Sequence, residues 1–176
     1  MTNHSVFNNE NSPVYMLTNN GYVSPVIISP AEYSAASSQR LFCLSTGNVS
    51  VGSGASLLLQ IANPNGSGRT VYLARVAGGA SNTVTVTVAS GGTITGGTTP
   101  TPFNTYLGSA VTSIVTARQN TGTLGGTPTS FFTAMAADIY SINFNGTIIV
   151  PPNQTLTVTA GTGSVTASLN LIWWEV

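Results

Sequence analysis

The sequence predicts an all-β fold, a jelly-roll-like antiparallel β-sandwich that follows an N-terminal arm. Three observations lead to this prediction: apolar and polar residues alternate with period two, turn sequences recur at short intervals, and only one short segment favours a helix. Short strands with this spacing are typical of sandwiches and barrels, and long connections favour Greek-key crossings over tight meanders. We divide the chain into an arm, residues 1–12, and a sandwich domain, residues 13–176.

The first part of the chain is predicted to hold the arm, two strands and one helix. The arm is polar, rich in asparagine, and contains His4, the one histidine of the sequence. Two apolar runs follow at 14–18 and 22–29, separated by a turn sequence, and Pro25 makes the second an edge or interrupted strand. Ser29 as N-cap, Pro30 as first helical residue and Glu32 two positions later predict a capping box, in a helix that ends by residue 38.

The remainder of the chain is predicted to consist of strands. They are expected at 40–46, 49–51, 56–62, 69–77, 83–89, 113–119, 130–136, 139–144 and 147–150, with further strands around 156–158 and 165–173. Val84, Val86 and Val88 share one face, as do Val165, Ala167, Leu169, Leu171 and Trp173. Gly78-Gly79 and Asn145-Gly146 are predicted as turns, and 90–110 and 120–129 as loops.

Charge is the most unusual property of the composition. The chain has four arginines, four acidic residues and no lysine, so that charged residues make up 5% and the net charge is zero. An ordinary domain is roughly 25% charged. Lysine guards exposed strand edges and net charge keeps copies apart, so this composition predicts association with further copies. Four scattered cations are too few for a nucleic-acid surface or a polybasic membrane patch.

The residues that carry most enzyme chemistry are scarce. One histidine, one cysteine and four acids in separate segments supply no catalytic triad, no carboxylate pair and no familiar metal-ligand spacing. We therefore expect no enzyme activity, no cofactor and no metal. Cys43 is expected to be a small buried residue of a strand, with an intermolecular disulfide as the alternative. Asp138 is expected to pair with an arginine or to cap a turn.

Adjacent residues on a strand face opposite ways, so one of Trp173 and Trp174 should enter the core. The outward residue, Trp174, packs at an edge, anchors a neighbouring subunit or forms a sugar-stacking platform. The segment that would insert into a neighbour is 6–7 or 14–17, although 14–17 suits equally a first strand of its own sandwich. The interface candidates are Val6, Phe7, Val14, Tyr15, Leu17 and Trp174.

Three segments carry a resemblance to a known kind of protein. They are Ala-Asn-Pro-Asn-Gly-Ser-Gly-Arg-Thr-Val-Tyr-Leu at 62–73, Val-Pro-Pro-Asn-Gln-Thr-Leu at 150–156 and Trp-Trp-Glu at 173–175. Together they resemble small jelly-roll structural proteins of spore-forming bacteria and their phages, above all the fibre subunits of bacterial endospore appendages. The resemblance implies subunits joined by an N-terminal connector that lays a strand into the preceding subunit's sheet. The cysteine-rich N-terminus of those subunits is missing here.

The sequence thus predicts a structural, self-assembling subunit of a proteinaceous fibre or appendage. Its partner is a further copy of itself, with an anchor or tip protein as another candidate. A head-to-tail contact of this kind closes a ring or grows a filament. Residues 1–12 lack the features of a signal peptide, so we expect an extracellular or spore-surface location reached without one. The alternatives are a phage or viral structural protein located in the virion, and a carbohydrate-binding module.

Overall fold

The computed structural model describes residues 30–161 and 163–176, together with the backbone of β1 (Asn8–Asn9) and β2 (Ser12–Pro13). These two short strands pair antiparallel in a sheet of their own. The division into arm and domain stays a prediction. Several predicted features lie outside the described residues: the strands at 14–18 and 22–29, His4, and the insertion candidates Val6, Phe7, Val14, Tyr15 and Leu17.

The described part of the sandwich contains one helix and nine strands. In chain order they are α1 (Ala31–Ser37), β3 (Leu41–Ser45), β4 (Val49–Val51), β5 (Ser56–Asn63), β6 (Val71–Ser90), β7 (Phe103–Asn104), β8 (Thr116–Gly122), β9 (Thr129–Val150), β10 (Gln154–Gly161) and β11 (Val165–Glu175). All their pairings are antiparallel.

The nine strands form one sheet that curls into a sandwich, because β6 passes from one half of it to the other. Residues 71–80 of β6 pair with β11, whereas residues 85–90 pair with β10. β9 follows β6 through both halves. One half therefore has the order β7-β3-β11-β6-β9, with β4 also beside β11, and the other has the order β8-β5-β10-β6-β9. The predicted all-β, sandwich-like fold is confirmed, and the jelly roll itself stays a prediction.

The core lies between the two halves and is built from the alternating residues that the sequence singled out. Both predicted inward faces, that of β6 around Val86 and that of β11 from Val165 to Trp173, are buried in one cluster. Trp173 is fully buried and stacks on Phe42 of β3, with 6.3 Å between the ring centroids. Period-two alternation thus located the buried side of the strands correctly.

The helix has the predicted length, but its predicted cap is wrong. The N-cap is Pro30, whose carbonyl oxygen accepts the first helical hydrogen bond, from the Ser34 amide, and there is no side-chain cap. Glu32 is drawn away because its carboxylate pairs with Arg75 of β6, with 3.2 Å between Oε2 and Nη2. Ala35 is buried against the sheet, so packing rather than capping holds this short helix in place.

Two predicted turns are wrong because the chain does not reverse at them. β6 continues through Gly78-Gly79, and β9 continues through Asn145-Gly146, where φ is +51° and +80°. β6 advances by two residues from Leu73 to Arg75, whereas the paired stretch of β9 advances by five. The extra residues of β9 form a bulge at Asn145-Gly146. The predicted loops are also shorter than expected, because β7 lies within 90–110 and β8 extends to residue 122.

Candidate assembly surface

The outer side of β9, here called the open edge, borders both halves of the sandwich. Within the described ranges, the 22 residues of β9 pair only with β6. Main-chain groups on the other side of β9 therefore have no strand partner in this part of the chain. A row of such groups is a template on which another strand can add.

The side chains of β9 do nothing to guard this edge. β9 contains no lysine, arginine or proline, and its single charge is Asp138. Ile139 is 91% exposed and Met135 is 79% exposed. Phe131 and Ile149 are also large, apolar and about half exposed. Natural sheets guard long edges with charges, prolines or covering segments, so an apolar edge of this length marks an interaction surface.

The two ends of β9 come together at one end of the sandwich and enclose a groove, here called the end pocket. Its volume is about 240 Å³, and its lining residues are Ser90, Phe131, Ile148, Ile149, Val150, Pro151, Gln154, Thr155 and Leu156. None of these residues is charged. Farther along the same strand, Phe132 and Phe144 pack edge to face, with 5.2 Å between their centroids, and join the two halves. The open edge therefore combines an apolar pocket with main-chain groups that no described strand pairs with.

The outer strands on the opposite side, β8 and β3, are covered by the chain between β6 and β8, and we call their outer sides the covered edges. Thr98 exchanges two backbone hydrogen bonds of 2.9 Å with Gln119 of β8. β7 pairs with β3, and the Thr105 amide donates to the Leu41 carbonyl oxygen at 3.0 Å. Only β9 has a long outer side that no described segment covers.

The sequence analysis did not identify β9 as a site, although a signal was available. Residues 129–150 lack lysine, arginine and proline throughout. The predicted turn at Asn145-Gly146 divided this run into short strands and concealed its length. The absence of lysine, arginine and proline over all of residues 129–150 would have indicated an unprotected strand edge.

Among the predicted interface residues, Trp174 is described, and it packs within its own chain. It is half-buried on the outer face of the sheet and stacks on Tyr72, with 5.7 Å between centroids and 5° between the ring planes. A Cβ atom at Gly146 would overlap the Trp174 ring. The opposite orientation of the two tryptophans is as predicted, and an intersubunit role for Trp174 stays a prediction.

Glu175 is a buried acid that the sequence analysis left without a role. Its carboxylate accepts hydrogen bonds from Ser113 Oγ at 2.5 Å, Trp173 Nε1 at 3.2 Å and the Ile114 amide at 3.3 Å. Arg69 Nη1 lies 3.3 Å from Oε2 and supplies the opposite charge. These contacts supply hydrogen bonds and an opposite charge to the buried carboxylate, so this network fixes the end of β11.

The remaining candidate chemistry is modest. Asp138 is exposed at a corner with φ of +54°. Of its two expected roles, the pairing with an arginine is wrong, because the ion pairs among the described residues are Arg69–Glu175 and Arg75–Glu32, and the capping of a turn stays a prediction. Cys43 lies half-buried in β3, and burial raises the pKa of its thiol, which lowers its reactivity. In the described ranges, no group of three or more histidine, cysteine, aspartate and glutamate residues is placed to hold a metal ion.

Comparisons with known proteins leave the family open. No protein family, no curated protein and no solved structure matches the chain. Within the described residues, no helix has both the length and the apolar character needed to cross a membrane.

Proposed function

We propose that this protein is a structural subunit that assembles with copies of itself into a fibre, and that an N-terminal segment of one copy completes the sheet of the next at the open edge. The single observation that carries the proposal is that β9, among the residues the structure describes, pairs on one side only, over 22 residues with one charge. An added strand would bind through main-chain hydrogen bonds along β9.

The strand order supports the jelly-roll part of this proposal. When each half of β6 and β9 counts as one strand, one sheet has the order β3, β11, first half of β6, second half of β9. The other has the order β5, β10, second half of β6, first half of β9. Eight strands wound as two Greek keys into facing sheets are the arrangement of a jelly roll, which occurs in capsid proteins among others.

The proposed contact joins two different surfaces, a segment near the N-terminus and the open edge. Such a contact is heterologous, so each added copy offers a fresh edge, and growth continues unless the geometry closes a ring. Low charge favours this growth, because neighbouring copies repel one another little. The proposed extracellular or spore-surface location rests on the resemblance to endospore appendage subunits alone.

The test introduces a lysine on each of two outer strands of the full-length protein. Ile139→Lys places a charge on the open edge at a position that is 91% exposed, so the fold should be retained. Thr116→Lys places the same charge at an exposed position on β8 and serves as the matched control. We expect the parent and the control to form filaments, and Ile139→Lys to remain monomeric, as seen by electron microscopy and light scattering.

Two results would refute the proposal: a parent protein that stays monomeric at high concentration, or filaments of Ile139→Lys indistinguishable from those of the parent. If the parent forms closed shells or rings, the result would favour the alternative function, a virion structural protein, over a fibre subunit. Thermal melting of both variants shows whether a loss of assembly reflects a loss of folding instead.

A further inference from the structure

The geometry points to a second intersubunit contact: the loop at residues 103–111, here called the apolar loop, docks into the end pocket of another copy of this chain. The inference rests on the proposed function and adds a donor surface to it. Four of the ten large hydrophobic residues exposed in the described part lie in this loop, and four more lie on β9. The loop residues are Phe103, Tyr106, Leu107 and Val111.

Hydrogen bonds hold the apolar loop in one shape. Asn104, which is 8% exposed, donates from Nδ2 to the Gln39 and Val111 carbonyl oxygens at 2.9 and 3.1 Å. Its Oδ1 accepts from the Tyr106 amide at 3.0 Å. Ser109 Oγ donates to Gln39 Oε1 at 2.7 Å. A loop fixed in this way loses little conformational entropy when it binds, which favours affinity.

In this fixed shape, the loop exposes its most accessible apolar side chain to solvent. Leu107 is 78% exposed at the tip of the loop, beside Gly108, whose φ of +84° makes the tight turn. Phe103 is 58% exposed and Tyr106 is 48% exposed. Single exposed apolar residues are ordinary, but four on one rigid loop of nine residues form a patch of the kind that marks an interface.

The position and chemistry of the end pocket select another copy of this chain as the partner. The loop includes β7, at one end of the strand order β7-β3-β11-β6-β9, and the end pocket is lined by residues of β9 at the other end. Neither surface contains a charged residue, so their contact leaves no charge buried and unpaired. The pocket volume of about 240 Å³ exceeds the roughly 150 Å³ cavity that holds a benzene ring.

The contact leaves room for the strand addition proposed above. The end pocket involves only the two ends of β9, at Phe131 and at residues 148–150. The stretch between them remains available to an added strand. One copy would thus contact the next through the apolar loop at the pocket and through its N-terminal segment along β9.

A mixing experiment with single cysteines tests this contact directly. In a Cys43→Ser background, full-length copies with Leu107→Cys are mixed with copies that carry Ile149→Cys, and a short bis-maleimide is added under assembling conditions. We expect the 107–149 product between different copies to dominate, as mapped by mass spectrometry. Dominant 107–107 or 149–149 products would indicate a symmetric contact, and either result, or no product, would overturn the inference.

A charge substitution provides a second measurement. Leu107→Glu should weaken association about tenfold or more, because it places a charge in an apolar pocket. Tyr33→Glu, at a position 65% exposed on α1 and outside both surfaces, is the matched control and should associate like the parent. Unchanged association of Leu107→Glu would overturn the inference. If Leu107→Glu assembles like the parent while deletion of residues 1–12 prevents assembly, the loop contact is refuted and the proposed function is supported.

Discussion

The two sides of this sandwich treat their outer strands differently. On one side, the chain between β6 and β8 lies along β8 and β3 and pairs with both. On the other side, β9 runs for 22 residues with no described segment along its outer side. Within residues 30–176, apart from 162, the chain therefore covers one pair of edges and places nothing along the other, so the lack of guards is concentrated at β9 rather than spread over a charge-poor chain.

The covering segment and β9 also differ in the contacts that attach them to the rest of the sandwich. The covering segment is attached at separate points: Thr98 exchanges two backbone hydrogen bonds with Gln119, and the Asn104 side chain donates to the Gln39 carbonyl oxygen. β9 is attached along its whole inner side to β6 and through the buried ring of Tyr140, whose hydroxyl donates to the Ser168 carbonyl oxygen at 3.0 Å. The open edge is thus the outer side of a firmly held strand, which makes it a suitable template for addition.

The largest effect is expected where β9 is fastened to β6. At Gly78, a Cβ atom would overlap the Ser168 carbonyl oxygen and lie 2.5 Å from the Tyr140 hydroxyl oxygen. Gly78→Ala should therefore lower the free energy of unfolding by about 3 kcal/mol, since backbone and a buried ring must both move. At Gly79, a Cβ atom would lie an ordinary 3.4 Å from the Asp138 carbonyl oxygen, so Gly79→Ala is the control. Urea unfolding measures both, and equal losses would contradict this account of the fastening.

A smaller effect is expected where the covering segment meets β8. A Cβ atom at Gly97 would overlap the Gln119 carbonyl oxygen, which accepts the Thr98 bond. Gly97→Ala should cost about 2 kcal/mol and uncover β8, whose amides should then exchange with solvent faster. Gly96 also has a positive φ, of +71°, but no close neighbour, so Gly96→Ala isolates the backbone strain at about 1 kcal/mol. Unchanged exchange in β8 of Gly97→Ala would show that this contact does not cover the edge.

The smallest effect concerns pH and the same tyrosine that fastens β9. Burial raises the pKa of Tyr140 to about 12 from its usual value near 10. Between these values the unfolded chain releases the phenolic proton and the folded chain keeps it, so stability falls as the pH rises from about 10 to 12. We expect a loss of up to about 2 kcal/mol across this range, which Tyr140→Phe removes. Urea unfolding across this range checks it, and an equal slope in Tyr140→Phe would assign the loss to other groups.

The sequence was sufficient for properties that depend on neighbours along the chain. Alternation located the buried faces of β6 and β11, and adjacency predicted that Trp173 and Trp174 face opposite ways. It failed where a residue serves a partner distant in sequence. The pair Gly78-Gly79 looks like a turn, yet Gly78 is small because Tyr140 and Ser168 approach it from two other strands.

The candidate site was less predictable than the fold for the same reason. The ion pair of Arg69 with Glu175 joins residues 106 positions apart, and no local pattern indicates it. The open edge exists because β9 has no described neighbour beyond it, which is a property of the whole strand order rather than of residues 129–150. Low charge predicted that some surface associates with further copies but could not say which one.

Hydrogen–deuterium exchange of the full-length protein at low and high concentration tests most directly whether another copy completes the open edge. The account predicts that amides of β9 gain protection as the concentration rises, while those of β8 stay unchanged. Protection of β9 that does not change with concentration would contradict it. Constant strong protection would mean that the edge is completed within one chain, and constant weak protection would mean that it is never completed.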